Sequence, residues 1–453
     1  MRLTLIHPCI GRRVGDRSYV RTWQMEPLPA ATLAGLTPRK DVEIRFYDDR
    51  LEDIPYDEAT DLVALSVETY TARRAYQIAS TYRARGVPVV MGGFHPSLCP
   101  DEVAEHAEAV VVGEAEETWP QLLDDFRHGK LEKFYRGEGR PSLEGVRPDR
   151  SIFRGKRYLK VGLVEAGRGC HFKCDFCAVQ TVFSASQTRR PVDAILAELQ
   201  EVKHTSKLIF FVDDNITSNP AKTKEFLRAL IPLKLRWVSQ ASINTAHDDE
   251  MLDLMVRSGC QGVLIGFESL NPGNLAAMNK GFNLARGGFE AALANLRRRK
   301  IRVYGTFVFG YDGDTPESFA PTVDFAIEHG FYIAAFNHLT PFPGTPLYGR
   351  LKDEGRLLYD AWWLDTSYRY NRIPFRPRGI EAEDLRAGCI EARRRFYSWP
   401  SILRRGFDPV NRANGFMWRN FYLINAMHRG DVSLRDHYPL GDESWNGRFI
   451  PAS

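Results

Sequence analysis

The sequence predicts an α/β protein of two successive domains followed by a mainly helical C-terminal segment. Short, β-branched apolar runs alternate with amphipathic helical stretches over residues 1 to about 130, and the same alternation returns over residues 159 to about 340. The residues between these two units are charged and contain glycine and proline, which is typical of a linker. We therefore expect domains over residues 1–135 and 159–345, a linker over 136–158 and a C-terminal segment over 346–453.

The composition is that of an ordinary soluble globular protein. Of 453 residues, 43% are hydrophobic and 26% are charged, and a formal net charge of +4 is too small to imply a nucleic-acid partner. A membrane span needs a run of about 18 apolar residues, and the sequence has none. The apolar stretch at the N-terminus is too short for a signal peptide. Seven mostly scattered cysteines argue against a disulfide framework, so we expect a cytoplasmic protein.

Five strands are predicted in the first unit, over residues 3–7, 43–47, 62–66, 88–91 and 109–112, with a helix over 71–85. Such alternation predicts a doubly wound, Rossmann-like parallel sheet, which binds ligands beyond the carboxyl ends of its strands. Glycines at these ends let the backbone approach a bulky ligand. The candidate ligand-binding residues that follow the strands are Ser66, Glu68, Thr69, Gly92, Gly93, Gly113 and Glu114.

Three cysteines follow the first predicted strand of the second unit in a C-x3-C-x2-C pattern. Thiolates are soft ligands that suit iron, and a cubic four-iron cluster needs four ligands, so three cysteines leave one iron open for chemistry. A zinc site is the alternative, although structural zinc usually has four ligands and the sequence has no second cysteine pair. His171 is the nearest further ligand type. The candidate metal ligands are Cys170, Cys174 and Cys177.

The loop Cys170-His171-Phe172-Lys173-Cys174-Asp175-Phe176-Cys177 resembles the cluster-binding loop of radical S-adenosylmethionine (SAM) enzymes. The resemblance implies that these cysteines bind a 4Fe-4S cluster and that the open iron binds the amino and carboxylate groups of SAM. An electron from the cluster would then cleave SAM to methionine and a deoxyadenosyl radical. The same resemblance implies that Phe176 lies against the adenine of SAM.

The second unit resembles the partial (β/α)6 barrel of this family, in which catalytic groups lie at the carboxyl ends of the strands. Its strands are predicted over residues 161–166, 208–212, 235–240, 262–267, 303–309 and 332–336, with helices over 191–204 and 316–328. After the second strand, Asp213 or Asp214 would accept a hydrogen bond from the SAM ammonium group. After the fourth strand, Glu268 would contact the SAM ribose.

Other strand ends of the barrel carry further candidates. Gln240 and Ser242 offer an amide and a hydroxyl after the third strand, and the segment from Gly305 to Gly310 resembles the adenine-binding strand of the family. His338 follows the sixth strand, where it is a candidate catalytic acid or base, with a structural histidine as the alternative.

The first unit resembles the cobalamin-binding domain that precedes many radical SAM barrels. The segments that carry this resemblance are Val90-Met91-Gly92-Gly93-Phe94-His95-Pro96 and Val111-Val112-Gly113-Glu114-Ala115-Glu116. Many cobalamin-binding domains supply a histidine to cobalt from an Asp-x-His-x-x-Gly loop. Here that loop reads Leu5-Ile6-His7-Pro8-Cys9-Ile10-Gly11, without the aspartate and with the glycine one place late. His7, Glu68 and Thr69 therefore remain candidates for the group under the cobalt, and a domain without cofactor remains an alternative.

The C-terminal segment combines clustered aromatic residues with basic pairs and triplets. Such a composition can bind RNA, because bases stack on rings and phosphates pair with arginine. It can equally close the open side of a partial barrel, which we favour because the net charge is small. The residues concerned are Trp362, Trp363, Tyr368, Tyr370, Arg393, Arg394, Arg395, Arg404 and Arg405.

The resemblance implies a cobalamin-dependent radical SAM methyltransferase that acts on an unactivated carbon, or a phosphinate, of a small molecule in specialised metabolism. One SAM would supply the methyl group through cobalamin, and a second would supply the radical that removes a substrate hydrogen. A reducing donor such as flavodoxin or ferredoxin is implied as a partner, and neither a membrane nor a nucleic acid is expected. The alternatives are a cobalamin-free radical SAM enzyme that performs cyclisation, rearrangement or aminocarboxypropyl transfer, and an RNA-modifying enzyme.

Overall fold

Six parallel strands form the N-terminal sheet of the computed structural model, which describes residues 1–15, 24–432, 434 and 436–452. The sheet has the strand order β2-β1-β3-β4-β5-β6, so the order reverses at β1. Ligands of doubly wound sheets bind where such a reversal occurs. The strands are β1 (Arg2–His7), β2 (Glu43–Asp48), β3 (Leu62–Ser66), β4 (Val89–Gly92), β5 (Ala109–Val112) and β6 (Phe134–Arg136).

Apolar cores cover both faces of this sheet, which confirms the doubly wound prediction. Along β3, Leu62 and Ala64 belong to one core, whereas Val63 and Leu65 belong to the other. Because successive side chains of a strand point to opposite faces, a strand that is buried on both faces is apolar throughout. The helices of this unit are Leu28–Leu36, Ala72–Arg83, Phe94–Leu98, Pro100–Ala104 and Thr118–Arg127.

Strand β6 was not predicted from the sequence. It is only three residues long, and its last residue is the first of the predicted linker, residues 136–158. Tyr135 nevertheless is buried, and its hydroxyl donates to Asp125 Oδ2 at 3.0 Å. The apolar pattern of residues 134–136 is too short to predict a strand, and these residues form one because they pair with β5.

The second unit is a sheet of six parallel strands in sequential order, the partial barrel expected for the radical SAM fold. Along β11, Gly305, Phe307 and Phe309 are buried in the core, and Tyr304 and Val308 of the other face line a cavity. The strands are β7 (Gly162–Val164), β8 (Ile209–Phe211), β9 (Trp237–Gln240), β10 (Cys260–Glu268), β11 (Arg302–Phe309) and β12 (Ile333–His338). The helices are Ala178–Val182, Val192–Val202, Pro220–Leu230, Asp249–Ser258, Pro272–Ala277, Gly288–Arg298 and Phe319–Glu328.

The C-terminal segment joins the two units. Its helix Ala382–Phe396 packs on β12 and contributes to the barrel core, whereas Trp362, Trp363 and Tyr368 are buried in a core of the N-terminal unit. The Trp363 indole donates to both oxygens of Glu102, at 3.1 and 3.0 Å. The other helices are Pro346–Asp353, Trp399–Gly406 and Gly415–Asp431.

These contacts bear on the partners expected for the C-terminal segment. Trp362, Trp363 and Tyr368 are between 0% and 3% exposed, so they cannot stack on nucleic-acid bases. Arg405 is buried as well, with its guanidinium 3.7 Å from the centre of the Phe396 ring. Within the part of the chain that the structure describes, every helix is too short or too polar to cross a bilayer.

Candidate active site

The cysteine loop follows a short strand, Gly167–Gly169, that pairs with Gln187–Arg189. Neighbouring elements of the barrel hold its backbone in place. Asp214, at the end of β8, accepts a hydrogen bond from the Gly169 N–H at 2.6 Å, and the Tyr311 hydroxyl donates to Asp175. Further contacts are His171 N to Ser218 Oγ (3.0 Å), Asn279 Nδ2 to the Lys173 carbonyl (3.1 Å) and Leu347 N to the Asp175 carbonyl (3.0 Å). The loop is therefore held by contacts within the protein.

The three cysteine sulfurs do not form a compact site for a single ion. Among the described residues, the one group of three ligand atoms that all lie within 4.8 Å of one another is His95, Cys99 and Glu102. Two thiolates on one zinc ion at about 2.3 Å each lie at most about 4.6 Å apart. Cys170, Cys174 and Cys177 do not form such a group, so their three sulfurs do not all lie within reach of one zinc ion.

Asn215 contacts a predicted cluster ligand, a contact that the sequence did not indicate. Its side-chain nitrogen lies 3.6 Å from Cys170 Sγ, and its Oδ1 accepts from the N–H groups of Thr217 and Ser242 at 3.2 and 3.3 Å. Asn215 was visible in the sequence beside the two aspartates after β8. The sequence alone, however, does not indicate which of the three residues 213–215 faces the Cys170 sulfur.

The two aspartates after β8 have different surroundings. Asp213 is 1% exposed, accepts from the Ala166 N–H at 2.8 Å through Oδ1, and has no partner for Oδ2 among the described residues. Burial raises the pKa of Asp213 to about 7. Asp214 lines a cavity between the two units, and burial raises its pKa as well. Asp214 is therefore the one of the pair that a ligand in that cavity can reach.

Glu268 points to the cysteine loop because β10 is irregular at its end. The register with β11 shifts between Gly266 and Glu268, and Glu268 has a left-handed backbone with φ of 62°. Such bulges re-aim side chains near active sites, and a non-glycine residue with positive φ is strained. A side chain at Gly266 would lie 2.0 Å from Glu268 Oε1, so glycine there makes the arrangement possible.

Lys280 is a site residue that the sequence analysis missed. Its Nζ lies 2.6 Å from Glu268 Oε1 and 6.0 Å from the centre of the Phe176 ring. Burial acts to lower the pKa of Lys280, but the negative charges of Glu268 and Cys174 outweigh burial and raise it. The barrel therefore presents a cation beside the cysteines, and Glu268 is already paired before a ribose could bind.

A cavity of about 380 Å³ lies at the β11–β12 side of the barrel. It contains two of the predicted site residues, Phe176 and His338. Its wall includes Tyr70 of the N-terminal unit, as well as Tyr370 and Arg393 of the C-terminal segment, so all three parts of the chain meet there. The remaining lining residues are Tyr304, Val308, Ala334, Ala335, Asn337, Leu339, Thr340, Phe342, Asn371, Tyr397, His428, Asp431 and Val432.

Gln240, Ser242, Gly305 and Gly310 are not among the residues that line this cavity. Gly305 faces the helix layer, where an added Cβ would lie 2.3 Å from the Phe331 ring. Gly310 has φ of +114°, and its N–H donates to Asp314 at 2.8 Å. These two glycines therefore serve packing and a turn, and only their backbone can contact a ligand.

A second cavity, of about 450 Å³, lies between the carboxyl edge of the N-terminal sheet and the barrel. It is lined by six of the seven residues predicted at the strand ends of the first unit: Ser66, Glu68, Gly92, Gly93, Gly113 and Glu114. An added Cβ at Gly113 would meet nothing within 4 Å, whereas at Gly93 it would lie 2.8 Å from the Val67 carbonyl oxygen. Gly113 therefore leaves the backbone open to a ligand, and Gly93 allows close strand contact.

Of the three groups considered for a place under cobalt, only Glu68 lines this second cavity. Glu68 is exposed to solvent in the cavity. The surrounding protein nevertheless removes part of the water around its carboxyl group, and this desolvation raises the pKa of Glu68 to about 7. Thr69 is buried. His7 is partly buried, and its own burial lowers its pKa to about 4. The cavity has the place and the open backbone that a corrinoid ligand of this sheet requires, and Glu68 lines it.

Ion pairs join the two units across the second cavity. Arg168 of the barrel contacts Glu116 at 2.7 Å and Glu114 at 3.4 Å, and Arg140 of the linker also pairs with Glu114. The Arg168 side chain is 15% exposed, so these pairs are partly shielded from solvent. The Gly-Glu-Ala-Glu segment that carried the family resemblance thus connects the first unit to the barrel, and Glu114 already has partners.

Comparison with known proteins decides the family. Residues 22–123 match the model of the B12 binding domain, and residues 164–326 match the model of the Radical SAM superfamily. The bacteriochlorophyllide d C-12(1)-methyltransferase of Chlorobaculum tepidum is 35% identical over 411 residues, which are 88% of this chain and 87% of that enzyme. The chain belongs to the cobalamin-binding radical SAM methyltransferases.

Two further proteins agree with this assignment. The bacteriochlorophyllide d C-8(2)-methyltransferase of the same organism is 29% identical and covers 82% of this chain and 86% of its own length. The solved structure of the radical SAM methyltransferase TsrM from Kitasatospora setae, with cobalamin and a [4Fe-4S] cluster bound, has a TM-score of 0.62. It is 17% identical and covers 78% of this chain and 75% of that chain, so it shows a shared fold.

This radical SAM methyltransferase uses a 4Fe-4S cluster, SAM and cobalamin, as the sequence predicted. Methyl transfer to an unactivated carbon is the reaction that fits its relatives. These findings favour the two-cofactor prediction over the cobalamin-free and RNA-modifying alternatives.

Proposed function

We propose that this methyltransferase acts on an unactivated carbon of a chlorin-type cyclic tetrapyrrole that carries a carboxylate. The observation that carries the proposal is the 35% identity, over most of both chains, to an enzyme named for bacteriochlorophyllide d. The cavity beside β11 and β12 supports it, because its walls have the chemistry that a flat aromatic acid requires.

Aromatic side chains supply much of that wall. Tyr70 and Tyr370 lie 5.2 Å apart between ring centres at a tilt of 54°, and Phe176, Tyr304 and Tyr397 line the same cavity. Aromatic rings favour offset or edge contacts with other rings, and each such pair contributes about 0.5–1.5 kcal/mol beyond the area it buries. A planar conjugated macrocycle gains more from these walls than a flexible aliphatic substrate would.

Arg393 supplies the positive charge. Its Nε donates to the Phe336 carbonyl at 2.9 Å and its Nη2 donates to Asn337 Oδ1 at 3.0 Å, and among the described residues it has no carboxylate partner. A guanidinium held by neutral acceptors keeps its charge available for a ligand carboxylate. We propose that the Arg393 guanidinium binds the carboxylate group of the substrate.

The cofactors occupy the sites described above in this proposal. Cys170, Cys174 and Cys177 hold the cluster, and the cavity with Glu68 and Gly113 holds cobalamin, which supplies the methyl group. The protein's own contribution is to fix the cysteine loop, to place Lys280 beside it and to exclude water with the aromatic wall. We further propose that the enzyme is cytoplasmic, that a reductant of the flavodoxin or ferredoxin type supplies electrons, and that nucleic acid is not its substrate.

Anaerobic turnover with a substrate panel tests the proposal. Protein reconstituted with iron, sulfide and cobalamin is incubated with SAM, a reductant and either bacteriochlorophyllide d, a non-macrocyclic aromatic acid or an RNA mixture. Mass spectrometry should find a gain of one methyl group on the chlorin alone. Methylation of another class, with the chlorin unchanged, would overturn the assignment of the substrate.

A further inference from the structure

His338 has one ring nitrogen fixed and the other available to the cavity. Its Nδ1 lies 3.0 Å from the carbonyl oxygen of Leu339, which can only accept, so Nδ1 carries the proton. The lone pair is therefore on Nε2, and among the described residues no hydrogen bond reaches Nε2. His338 lines the cavity at the end of β12, although the residue as a whole is 8% exposed.

The surroundings keep this imidazole neutral. Burial lowers the pKa of His338 to about 4, the Leu339 hydrogen bond opposes that shift, and the charge of Arg393 adds to it. Asp431 is the acidic residue among those that line the cavity. A neutral histidine is a poor general acid near pH 7, so the acid role considered from the sequence is disfavoured, whereas a lone pair held in place is suited to a metal ion.

We propose that Nε2 of His338 is the axial ligand of the central metal ion of the tetrapyrrole substrate, which rests on the function proposed above. A chlorin holds its magnesium by four nitrogens in one plane, and the ion accepts a further ligand perpendicular to that plane. A metal-binding histidine usually donates its other ring N–H to a carbonyl or carboxylate, which fixes the tautomer and the ring orientation. The Leu339 carbonyl provides that contact here.

This ligand would determine which substrate carbon is methylated. An axial bond from His338 fixes the centre of the macrocycle, and a carboxylate contact with Arg393 fixes its rotation about that centre. Two fixed points on a rigid planar molecule leave one edge facing the cysteine loop, where Phe176 lines the same cavity. No bond to the metal is made or broken in the methylation itself, so His338 acts in binding and orientation.

A binding comparison tests the ligand without turnover. The reconstituted protein is titrated anaerobically with bacteriochlorophyllide d and with its demetallated form, and binding is followed by visible absorption. Wild type should bind the magnesium form about tenfold or more tightly than the demetallated form. His338→Leu, which has no ligand atom, should remove that preference and leave the affinity for the demetallated form within about twofold. A preference that persists in H338L would overturn the proposal.

Two further measurements keep the test decisive. Resonance Raman bands of the chlorin bound to wild type report whether the magnesium has four or five ligands. This measurement uses the wild-type protein alone, so it does not depend on the folding of a variant. A four-coordinate ion would overturn the proposal. His428→Leu is the matched control, because His428 lines the same cavity. If H428L rather than H338L removes the preference, the assignment to His338 is wrong. If neither pigment form binds, the proposed substrate is wrong, whereas equal binding of both forms rejects the axial ligand alone.

Discussion

The side-chain nitrogen of Asn215 lies 3.6 Å from the sulfur of Cys170. A donor to a cluster sulfur stabilises the more negative, reduced cluster and so raises its reduction potential. Asn215→Asp keeps the oxygen that accepts from Thr217 and Ser242 but replaces the donor with a negative oxygen. The variant loses one hydrogen bond to the cluster sulfur, worth about 1 kcal/mol. We therefore predict that the reduction potential of the cluster falls by at least the equivalent of this energy, on the order of 40 mV for one electron.

A redox titration followed by electron paramagnetic resonance measures this shift. Asn219→Asp is the matched control on the same segment, because Asn219 caps the helix Pro220–Leu230 and aspartate caps equally well. The control should keep the wild-type potential. An unchanged potential in N215D would show that the contact with Cys170 does not persist once the cluster binds.

The second cavity is predicted to be the cobalamin site, and Glu68 offers a way to close it. Its side chain lines the cavity, and its backbone exchanges hydrogen bonds with Thr71 in the turn that follows β3. Glu68→Trp should obstruct the cavity with a larger side chain, so the variant should bind four irons but much less cobalt than wild type by metal analysis. Glu68→Gln keeps the size and should retain cobalt. Equal cobalt in both variants would place the cofactor elsewhere.

The buried pair of Lys280 and Glu268 is predicted to hold the barrel mouth together. Lys280→Met leaves the Glu268 carboxylate, 7% exposed, without its partner at 2.6 Å. Loss of one member of a buried pair costs about 3–5 kcal/mol, whereas replacing both members costs less. Denaturant unfolding of K280M, of E268Q and of the double variant forms a double-mutant cycle, in which the double variant should be more stable than K280M. Additive losses would contradict a direct interaction.

The stability of the apoprotein should depend on pH through Asp213. The folded-state pKa of Asp213 is about 7 because of burial, above the ordinary carboxyl value, so the folded state binds the extra proton between these two values. The contribution of Asp213 to stability therefore falls as pH rises from 5 through 7 and levels off above that range. Asp213→Asn should remove on the order of 2 kcal/mol of that fall. Thermal unfolding at pH 5, 6, 7 and 8 measures it, and parallel profiles for both proteins would contradict the assignment.

The strand pattern and the cysteine spacing could be predicted from the sequence, because each depends on residues close together in the chain. Eleven of the twelve strands of the two main sheets coincide with predicted apolar runs, and the exception, Phe134–Arg136, is defined by its pairing with β5. Family membership and the three cofactors followed from motifs of the same local kind.

Contacts between distant segments could not be predicted in this way. Lys280 meets Glu268 because β10 bulges at its end, and Arg168 meets Glu116 because the two units face each other. Tyr70 and Arg393 reach the same cavity from opposite ends of the chain. Each of these positions depends on how the units pack, for which a single sequence has no local pattern.

The most direct test of the central claim is a count of the products of SAM in one anaerobic turnover experiment. Reconstituted enzyme, a reductant, a chlorin acceptor and SAM with a deuterated methyl group are incubated with and without cobalamin, and mass spectrometry quantifies the products. We predict equal amounts of S-adenosylhomocysteine, deoxyadenosine and chlorin with a deuterated methyl group, all dependent on cobalamin. Deoxyadenosine formation that proceeds equally without cobalamin, with no methylated product, would contradict the account.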